Sequence, residues 1–181
     1  MRTKLFLAAL LLPLSLPVEA ALAPGAVAPD FSAAGAMAGK PYSVSLKAAL
    51  RKGPVVLYFF PAAFTGGCNA EAAAFAAALP DFTKAGATVI GMTAGNVDQL
   101  ARFSSEHCAG KFAVAAASPV VIKGYDVLLK KPDGTPTTVT SRTSYVIAPS
   151  GKIVFAHNDM NPNDHVRMTL DAVRKLKAKR G

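Results

Sequence analysis

One cysteine of this chain stands where the backbone itself would activate a thiol. Residues 54–60 form a continuous apolar run rich in β-branched and aromatic side chains, which is typical of a strand buried on both faces. The alanine-rich segment 67–79 that follows is predicted to be a helix that ends near Pro80. Cys68 therefore lies at a junction from strand to helix, where unpaired N–H groups and the helix dipole favour a thiolate. The pattern predicts a nucleophilic cysteine.

Three other residues are placed to assist that sulfur. Thr65 precedes Cys68 by three residues, close enough for its hydroxyl to hydrogen-bond the sulfur or a bound oxygen. Pro61 ends the strand and can shield the pocket without adding a competing donor. Arg142 comes just before a predicted strand at 144–148, at a sheet end from which its guanidinium can reach the same pocket.

Each of these residues also has a simpler interpretation. Thr65 taken alone is an ordinary turn residue, and Arg142 taken alone is a solvated surface charge. Cys68 and Cys108 are the two cysteines of the chain, so in an oxidising compartment they can form a structural disulfide.

The pattern Pro61-x-x-x-Thr65-x-x-Cys68 resembles the peroxiredoxin signature, and its setting is similar to the Q-type, or bacterioferritin-comigratory, branch. The same order of matches continues over most of the chain. It includes Gly25-x-x-x-Pro29-Asp30-Phe31, Tyr125-Asp126-Val127, and Arg142-Thr143-Ser144-Tyr145-Val146-Ile147 with Gly151-Lys152-Ile153.

The resemblance implies a thioredoxin-like α/β fold, in which a central mixed sheet is flanked by helices on both faces. It implies a thiol peroxidase that needs no metal, haem or flavin and is reduced by an external thiol, either a thioredoxin-like protein or a glutathione-like donor. Cys68 becomes the peroxidatic residue, and Pro61, Thr65 and Arg142 become its activating partners. Glu71 matches a glutamate that this branch carries three residues after the cysteine.

The chain departs from the family pattern at several positions. Many Q-type members have a resolving cysteine five residues after the peroxidatic one, but this position is Ala73. Gly66 replaces a common proline, and Asp126 replaces a usual glycine. Cys108 is the one remaining thiol and is our candidate resolving cysteine; otherwise it is a bystander or a regulatory thiol.

The elements that must position these residues follow from the hydrophobic pattern. We predict strand, helix, strand, helix, hairpin and helix, which together indicate an α/β domain. Beyond the strand and helix around Cys68, the predicted elements are a strand at 88–92, a helix at 97–108 capped by Asn96, a hairpin of 144–148 and 152–156, and a final helix capped by Asn163 or Asp164.

Length and composition restrict the class of protein. A chain of 181 residues with 51% hydrophobic and 17% charged residues is one globular domain rather than a disordered chain. The net charge of +9 includes a basic C-terminal helix, which we interpret as solvated and not as a nucleic-acid arm. The polar group of His157, Asp159, Asp164 and His165 has no spacing that fixes a metal geometry, so we predict loop polar residues and a helix cap there.

The N-terminus resembles an export signal. Arg2 and Lys4 precede an apolar stretch that is too short to span a bilayer, and Val18-Glu19-Ala20 offers a cleavage site. We predict a signal peptide at 1–20 and a thioredoxin-like peroxiredoxin domain at 24–181. The mature protein is expected to be exported, periplasmic if the cell has an outer membrane, monomeric and without stable membrane insertion.

Two other functions compete with a peroxidase. A thiol–disulfide oxidoreductase of the same fold would want Cys-x-x-Cys, but Cys68-Asn69-Ala70-Glu71 lacks the second thiol. A non-catalytic redox sensor or binding protein that kept the fold is the third hypothesis.

Overall fold

A computed structural model describes residues 21–178 of the chain. A mixed sheet of seven strands forms its centre, in the order β2-β1-β5-β4-β3-β8-β9, and β6 pairs with β7 in a separate hairpin. The strands are β1 Ser32–Met37, β2 Lys40–Ser45, β3 Val55–Phe59, β4 Thr88–Thr93, β5 Ala113–Ala116, β6 Leu128–Lys130, β7 Pro136–Thr140, β8 Thr143–Ile147 and β9 Ile153–Asn158. The helices are α1 Leu46–Leu50, α2 Gly66–Lys84, α3 Leu100–Glu106, α4 Pro119–Tyr125 and α5 His165–Ala178, and a short 3₁₀ helix spans Val97–Gln99.

Strand β3 shows why the sheet is covered on both faces. All five of its residues are buried, and successive side chains point to opposite sides. Val56 and Tyr58 join the core beneath α2, α3 and α5, whereas Leu57 and Phe59 join the core beneath α1 and α4. The predicted α/β fold with helices on both faces is therefore confirmed.

Strands β3, β4 and β5 run parallel, and their neighbours in the sheet are antiparallel. The carboxyl ends of β3 and β4 meet at one edge of the sheet, where the loops after them touch through a bridge between Ala62 and Gly95. A Cβ on Gly95 would lie 2.4 Å from the Pro61 carbonyl oxygen, so only glycine allows this contact. The loop before Cys68 is thus held against the end of β4.

The helix that carries Cys68 is longer than predicted. Pro80 lies inside α2, which continues to Lys84. A proline at this position has no N–H for the carbonyl of Ala76, four residues earlier. The Lys111 ammonium donates to that oxygen at 3.0 Å, so the lost helical bond is replaced by a tertiary one.

The region after β4 also differs from prediction. Asn96 stands at the N-cap position of the 3₁₀ helix, but its side chain makes no capping bond: the residue is left-handed with φ 54°, and its amide donates to the Ala63 carbonyl at 2.8 Å. The predicted helix 97–108 consists of the 3₁₀ turn and α3, which ends at Glu106, so Cys108 lies in the turn beyond the helix. Asn96 therefore fastens the loop before Cys68 instead of starting α3.

The export signal predicted at 1–20 lies outside the described residues. Packing of the domain is already present at Leu22, whose N–H donates to the Tyr145 hydroxyl at 3.2 Å. Among residues 21–178, no helix has the length and apolar character that crossing a membrane requires.

Candidate active site

Cys68 occupies the first turn of α2, directly after the loop that leaves β3. Thr65 is the N-cap residue and has an extended backbone, and the Asn69 N–H bonds its carbonyl at 2.8 Å. The N–H groups of the residues between them are the ones that a helix leaves without an internal partner. The Cys68 side chain is buried, with 1% of the residue exposed. Its sulfur thus sits at the positive end of a helix of 19 residues, shielded from bulk water.

Arg142 approaches the same sulfur from the connection between β7 and β8. Its Nη2 lies 3.5 Å from Cys68 Sγ, and its Nε donates to the Met160 carbonyl at 2.9 Å. The remaining terminal nitrogen, Nη1, makes a close charged hydrogen bond to Glu71 Oε2. The guanidinium is held on three sides, so its direction toward the sulfur is fixed.

This approach depends on the glycine next to the cysteine. A Cβ added to Gly67 would lie 3.1 Å from Arg142 Nη2, whereas a Cβ added to Gly66 would meet no atom of residues 21–178 within 4 Å. Gly67 therefore leaves the space through which Arg142 reaches the sulfur.

Glu71 joins the site from the next turn of α2 and is fully buried. Burial raises its pKa to about 7, although the attraction and hydrogen bond of Arg142 act in the opposite direction. The pKa of Arg142 is raised because the negative charges of Glu71 and Cys68 outweigh the effect of its own burial. The structure thus places an ion pair of Arg142 and Glu71 beside the thiol.

The other predicted partners take different positions. The Thr65 hydroxyl donates to the Ala62 carbonyl at 3.1 Å instead of to the sulfur. The Pro61 carbonyl accepts a bond from the Thr93 hydroxyl at 2.9 Å, which ties the loop to the end of β4. The direct contact between Thr65 and sulfur, one of two predicted possibilities, is not present.

Cys108 is also fully buried, in the same apolar cluster as Cys68. Both cysteines are free thiols, so the structural disulfide is not formed in this state. Burial raises the pKa of the Cys108 thiol to about 12, which makes it a poor nucleophile in this conformation. The helix before it packs on β1 and β5, and Phe103 of this helix stacks on Phe60 at 5.3 Å between ring centroids.

Sequence reasoning treated His165 only as a loop polar residue or part of a cap. It is instead fully buried at the start of α5, 3.7 Å from Glu71 Oε1, and bonded to the Ser144 hydroxyl at 2.8 Å. The sequence feature that could have indicated its burial is its position, one residue inside the final helix and on the buried face that also carries Thr169 and Leu170. Within residues 21–178, no three His, Cys, Asp or Glu side chains gather closely enough to hold a metal ion.

A buried thiol at a helix N-terminus, paired with an arginine on a thioredoxin-like sheet, defines a cysteine-dependent redox enzyme. The AhpC/TSA family model matches residues 24–156. The chain belongs to the AhpC/TSA family, and it is a peroxiredoxin similar to the Q-type group.

Individual relatives agree with this assignment. The chain is 29% identical over 140 residues to the chloroplastic peroxiredoxin Q of Sedum lineare, covering 77% of this chain and 72% of the relative. The crystal structure of peroxidoxin BcpB from Mycobacterium tuberculosis superposes with a TM-score of 0.73 at 26% identity, covering 84% of this chain and 97% of that one.

A third relative connects the fold to a reaction. The bacterioferritin comigratory protein of Xanthomonas campestris, whose structures address its alkyl peroxide reduction, superposes with a TM-score of 0.69 at 25% identity. The match covers 80% of this chain and 91% of that protein. The chain described here is a thiol-dependent peroxidase, and the two competing functions are not supported by these relatives.

Proposed function

We propose that Cys68 is the peroxidatic residue and that Arg142 activates it. The observation that carries this assignment is the 3.5 Å contact between Arg142 Nη2 and Cys68 Sγ at the first turn of α2. The guanidinium and the free N–H groups of the helix end stabilise negative charge, first on sulfur and then on the leaving oxygen.

The proposed reaction balances with the peroxide as the only oxidant. The Cys68 thiolate attacks the terminal oxygen of hydrogen peroxide or an organic hydroperoxide, the S–O bond forms and the O–O bond breaks. The sulfur keeps the transferred hydroxyl as a sulfenic acid, and water or an alcohol leaves after taking up the proton that the thiol released.

Thr65 and Pro61 assist from the loop. The Thr65 hydroxyl uses its hydrogen on the Ala62 carbonyl, so its lone pairs are left to accept a hydrogen bond from the peroxide O–H. Pro61 offers no N–H that would compete for the oxygen. We assign Thr65 to orienting the peroxide and Pro61 to shielding it.

Cys108 is our proposed resolving cysteine, and its burial requires that the site open first. Phe64, in the loop before Cys68, has φ 61° and packs edge-to-face on Phe103 and on His107, the residue next to Cys108. A bulky residue in the left-handed region is strained, so unwinding the loop releases strain while it uncovers the turn of Cys108. The sulfenic acid then condenses with the Cys108 thiol to a disulfide and water.

Resolution within the molecule can be separated from resolution by another molecule. After one equivalent of peroxide, peptide mapping without reductant should find a disulfide between Cys68 and Cys108 in the monomer. A lasting sulfenic acid on Cys68 beside a free Cys108 would mean that an external thiol resolves it. In either case, a thioredoxin-like or glutathione-like donor restores the dithiol by exchange.

The cellular setting is a proposal as well. We propose that residues 1–20 direct export and are removed after Ala20, that the protein works in the periplasm where an outer membrane exists, and that it is a monomer. Mass spectrometry of the exported protein should give Ala21 as the first residue, and an intact Met1 would contradict the proposal. Light scattering of the reduced protein should give the mass of one chain.

The assignment of Cys68 is tested by turnover. Cys68→Ser should abolish peroxide consumption, since serine is far too weak a nucleophile at neutral pH. Cys108→Ser is the matched control: it should still consume one equivalent of peroxide in a single turnover, because it retains the attacking sulfur. Turnover of the Cys68→Ser protein near that of the unchanged enzyme would refute the assignment.

A further inference from the structure

Behind Arg142 lies a closed polar cluster that the peroxidase chemistry described above does not use. It consists of the Glu71 carboxyl, the His165 ring, the Ser144 hydroxyl and the Asp159 carbonyl. The side chains of Glu71 and His165 both have 0% exposure. Bulk water therefore does not reach the Glu71 carboxyl or the His165 ring, and their protein hydrogen bonds lie within the cluster and to Arg142.

The hydrogen bonds of His165 fix which nitrogen carries its proton. Nε2 lies 2.9 Å from the Asp159 carbonyl, which only accepts, so Nε2 carries the hydrogen. Burial, together with the nearby charges of His157 and Arg142, lowers the pKa of His165 to about 4, although the Asp159 carbonyl opposes this shift. The ring is therefore neutral near pH 7, and its bare Nδ1 accepts from the Ser144 hydroxyl.

The second oxygen of Glu71 faces that same nitrogen. Oε2 is taken by Arg142, but Oε1 is buried without a hydrogen-bond partner among residues 21–178 and lies 3.7 Å from Nδ1. An ionised Oε1 here leaves two acceptors facing each other with no hydrogen between them. A proton on Oε1 lessens this conflict, because it removes the negative charge that faces the Nδ1 lone pair, which the Ser144 hydroxyl already occupies.

We propose that His165 is a positioning residue of the peroxidase centre, which favours a proton on Glu71 and thereby leaves the charge of Arg142 to the Cys68 sulfur. When Glu71 is ionised, its charge compensates that of the guanidinium. When Glu71 carries a proton, Arg142 presents a full positive charge to the thiolate. The proposal rests on the role assigned to Cys68 above.

The pKa of Glu71, raised to about 7 by burial, puts this change within the working range of an enzyme. Other charged or titratable groups lie around Glu71 and His165. They are Cys68 on α2, Arg142 before β8, Tyr58 on β3, His157 on β9 and Asp159 after β9. Of these, Arg142 alone forms an ion pair and a hydrogen bond with Glu71 in the described chain, and it is positive throughout.

The test is the pH dependence of the rate at which peroxide oxidises Cys68, measured in single turnovers from pH 5 to 9. The unchanged protein should show an inflection near pH 7 at which the rate falls as pH rises, because ionised Glu71 compensates the charge that Arg142 presents to the sulfur. In His165→Gln the amide still reaches the Asp159 carbonyl but offers no ring Nδ1, so the inflection should move about one pH unit lower. Glu71→Gln, which imitates the protonated carboxyl, should lose the inflection.

His157→Gln is the matched control, because its ring lies 4.5 Å from that of His165 but forms no ion pair with Glu71 within residues 21–178. Its inflection should stay within a few tenths of a pH unit of that of the unchanged protein. A His165→Gln profile that superposes on the unchanged one, or an inflection that persists in Glu71→Gln, would overturn the proposal.

A second readout separates this proposal from the role of Cys68. Infrared titration of the Cys68→Ser protein should show a protonated carboxyl band that disappears near pH 7. The band should be absent from Cys68→Ser/Glu71→Gln and should titrate lower in Cys68→Ser/His165→Gln. Absence of the band from Cys68→Ser itself would overturn the proposal even if Cys68 is the peroxidatic residue.

Discussion

At the scale of residues, the site depends on how closely one guanidinium approaches one sulfur. Arg142 has no free direction, since Glu71, the Met160 carbonyl and Cys68 occupy its nitrogens. A small steric change next to the sulfur therefore cannot be absorbed by a swing of the arginine.

Gly67→Ala should slow peroxide attack about tenfold, because the new methyl group displaces Arg142 from the sulfur and small misplacements are costly in catalysis. Stopped-flow oxidation with limiting peroxide measures this rate. Gly66→Ala adds the same methyl group on the same turn with nothing within 4 Å, so its rate should be unchanged. Equal rates in the two variants would show that the clearance at Gly67 is unimportant.

At the scale of elements, α2 runs through a proline because another part of the chain completes its hydrogen bonding. Lys111 donates to the carbonyl that Pro80 leaves free, and the Lys111 N–H bonds the Cys108 carbonyl at 3.0 Å. One residue thus connects the helix of the first cysteine to the turn of the second.

Lys111→Met should lower the free energy of unfolding by about 1 kcal/mol, because it leaves the Ala76 carbonyl without its donor. Pro80→Ala restores a helical N–H for that oxygen, so Lys111→Met should cost much less in the Pro80→Ala background. Urea unfolding of the four proteins measures this coupling. Equal costs in both backgrounds would contradict the explanation given for Pro80.

The same elements show what the sequence can predict. Strands β3, β4 and β8 follow from apolar runs because almost all of their residues are buried, and β9 follows as the partner of β8 in a hairpin. Strand β1 was missed, since its residues are small and largely alanine, and Pro80 and Asn96 were misread because their partners, Lys111 and Ala63, are distant in the chain. Local pattern carries no information on such partners.

The candidate site likewise contains residues that the sequence could predict and one that it could not. Cys68, Thr65 and Pro61 share one loop, so their grouping was predictable from spacing, and Arg142 was expected because it precedes a recognisable strand. The structure brings Arg142 to Cys68 as predicted, but it turns the Thr65 hydroxyl to the Ala62 carbonyl. His165 could not be predicted, because only the packing of α5 on β8 brings it to Glu71.

At the scale of the whole molecule, the buried pair of Glu71 and His165 affects stability. The pKa of Glu71 rises from 4.5 to about 7 on folding, and that of His165 falls from 6.5 to about 4. Between pH 4.5 and 6 the unfolded chain holds one proton on the histidine and the folded chain holds one on the glutamate. Folding then takes up no net proton at this pair, and the two effects on stability cancel.

Single substitutions should uncover the two opposing effects. In His165→Gln the remaining carboxyl binds its proton more tightly when folded, so stability falls as pH rises from 4.5 to 6. In Glu71→Gln the remaining imidazole binds its proton more tightly when unfolded, so stability rises over the same interval. Each slope should differ from that of the unchanged protein by up to about 1.4 kcal/mol per pH unit, with opposite signs.

Chemical denaturation at several pH values measures these slopes, and the many other titrating groups cancel in the comparison with the unchanged protein. His157→Gln again serves as the control. Parallel curves for all the proteins would show that neither buried group shifts on folding.

Because both cysteines are buried, the folded protein should discriminate between thiol reagents by their size. Cys68 is only 1% exposed, so we expect its sulfur to react with a molecule of a few atoms but not with a bulky maleimide. Small oxidants should react in a second-order manner, whereas a large label should react at a limiting rate set by how often the loop opens. The limiting rate observed with reagents of increasing size would therefore measure the rate at which the loop opens. A covalent inhibitor of the closed enzyme would have to be little larger than a peroxide.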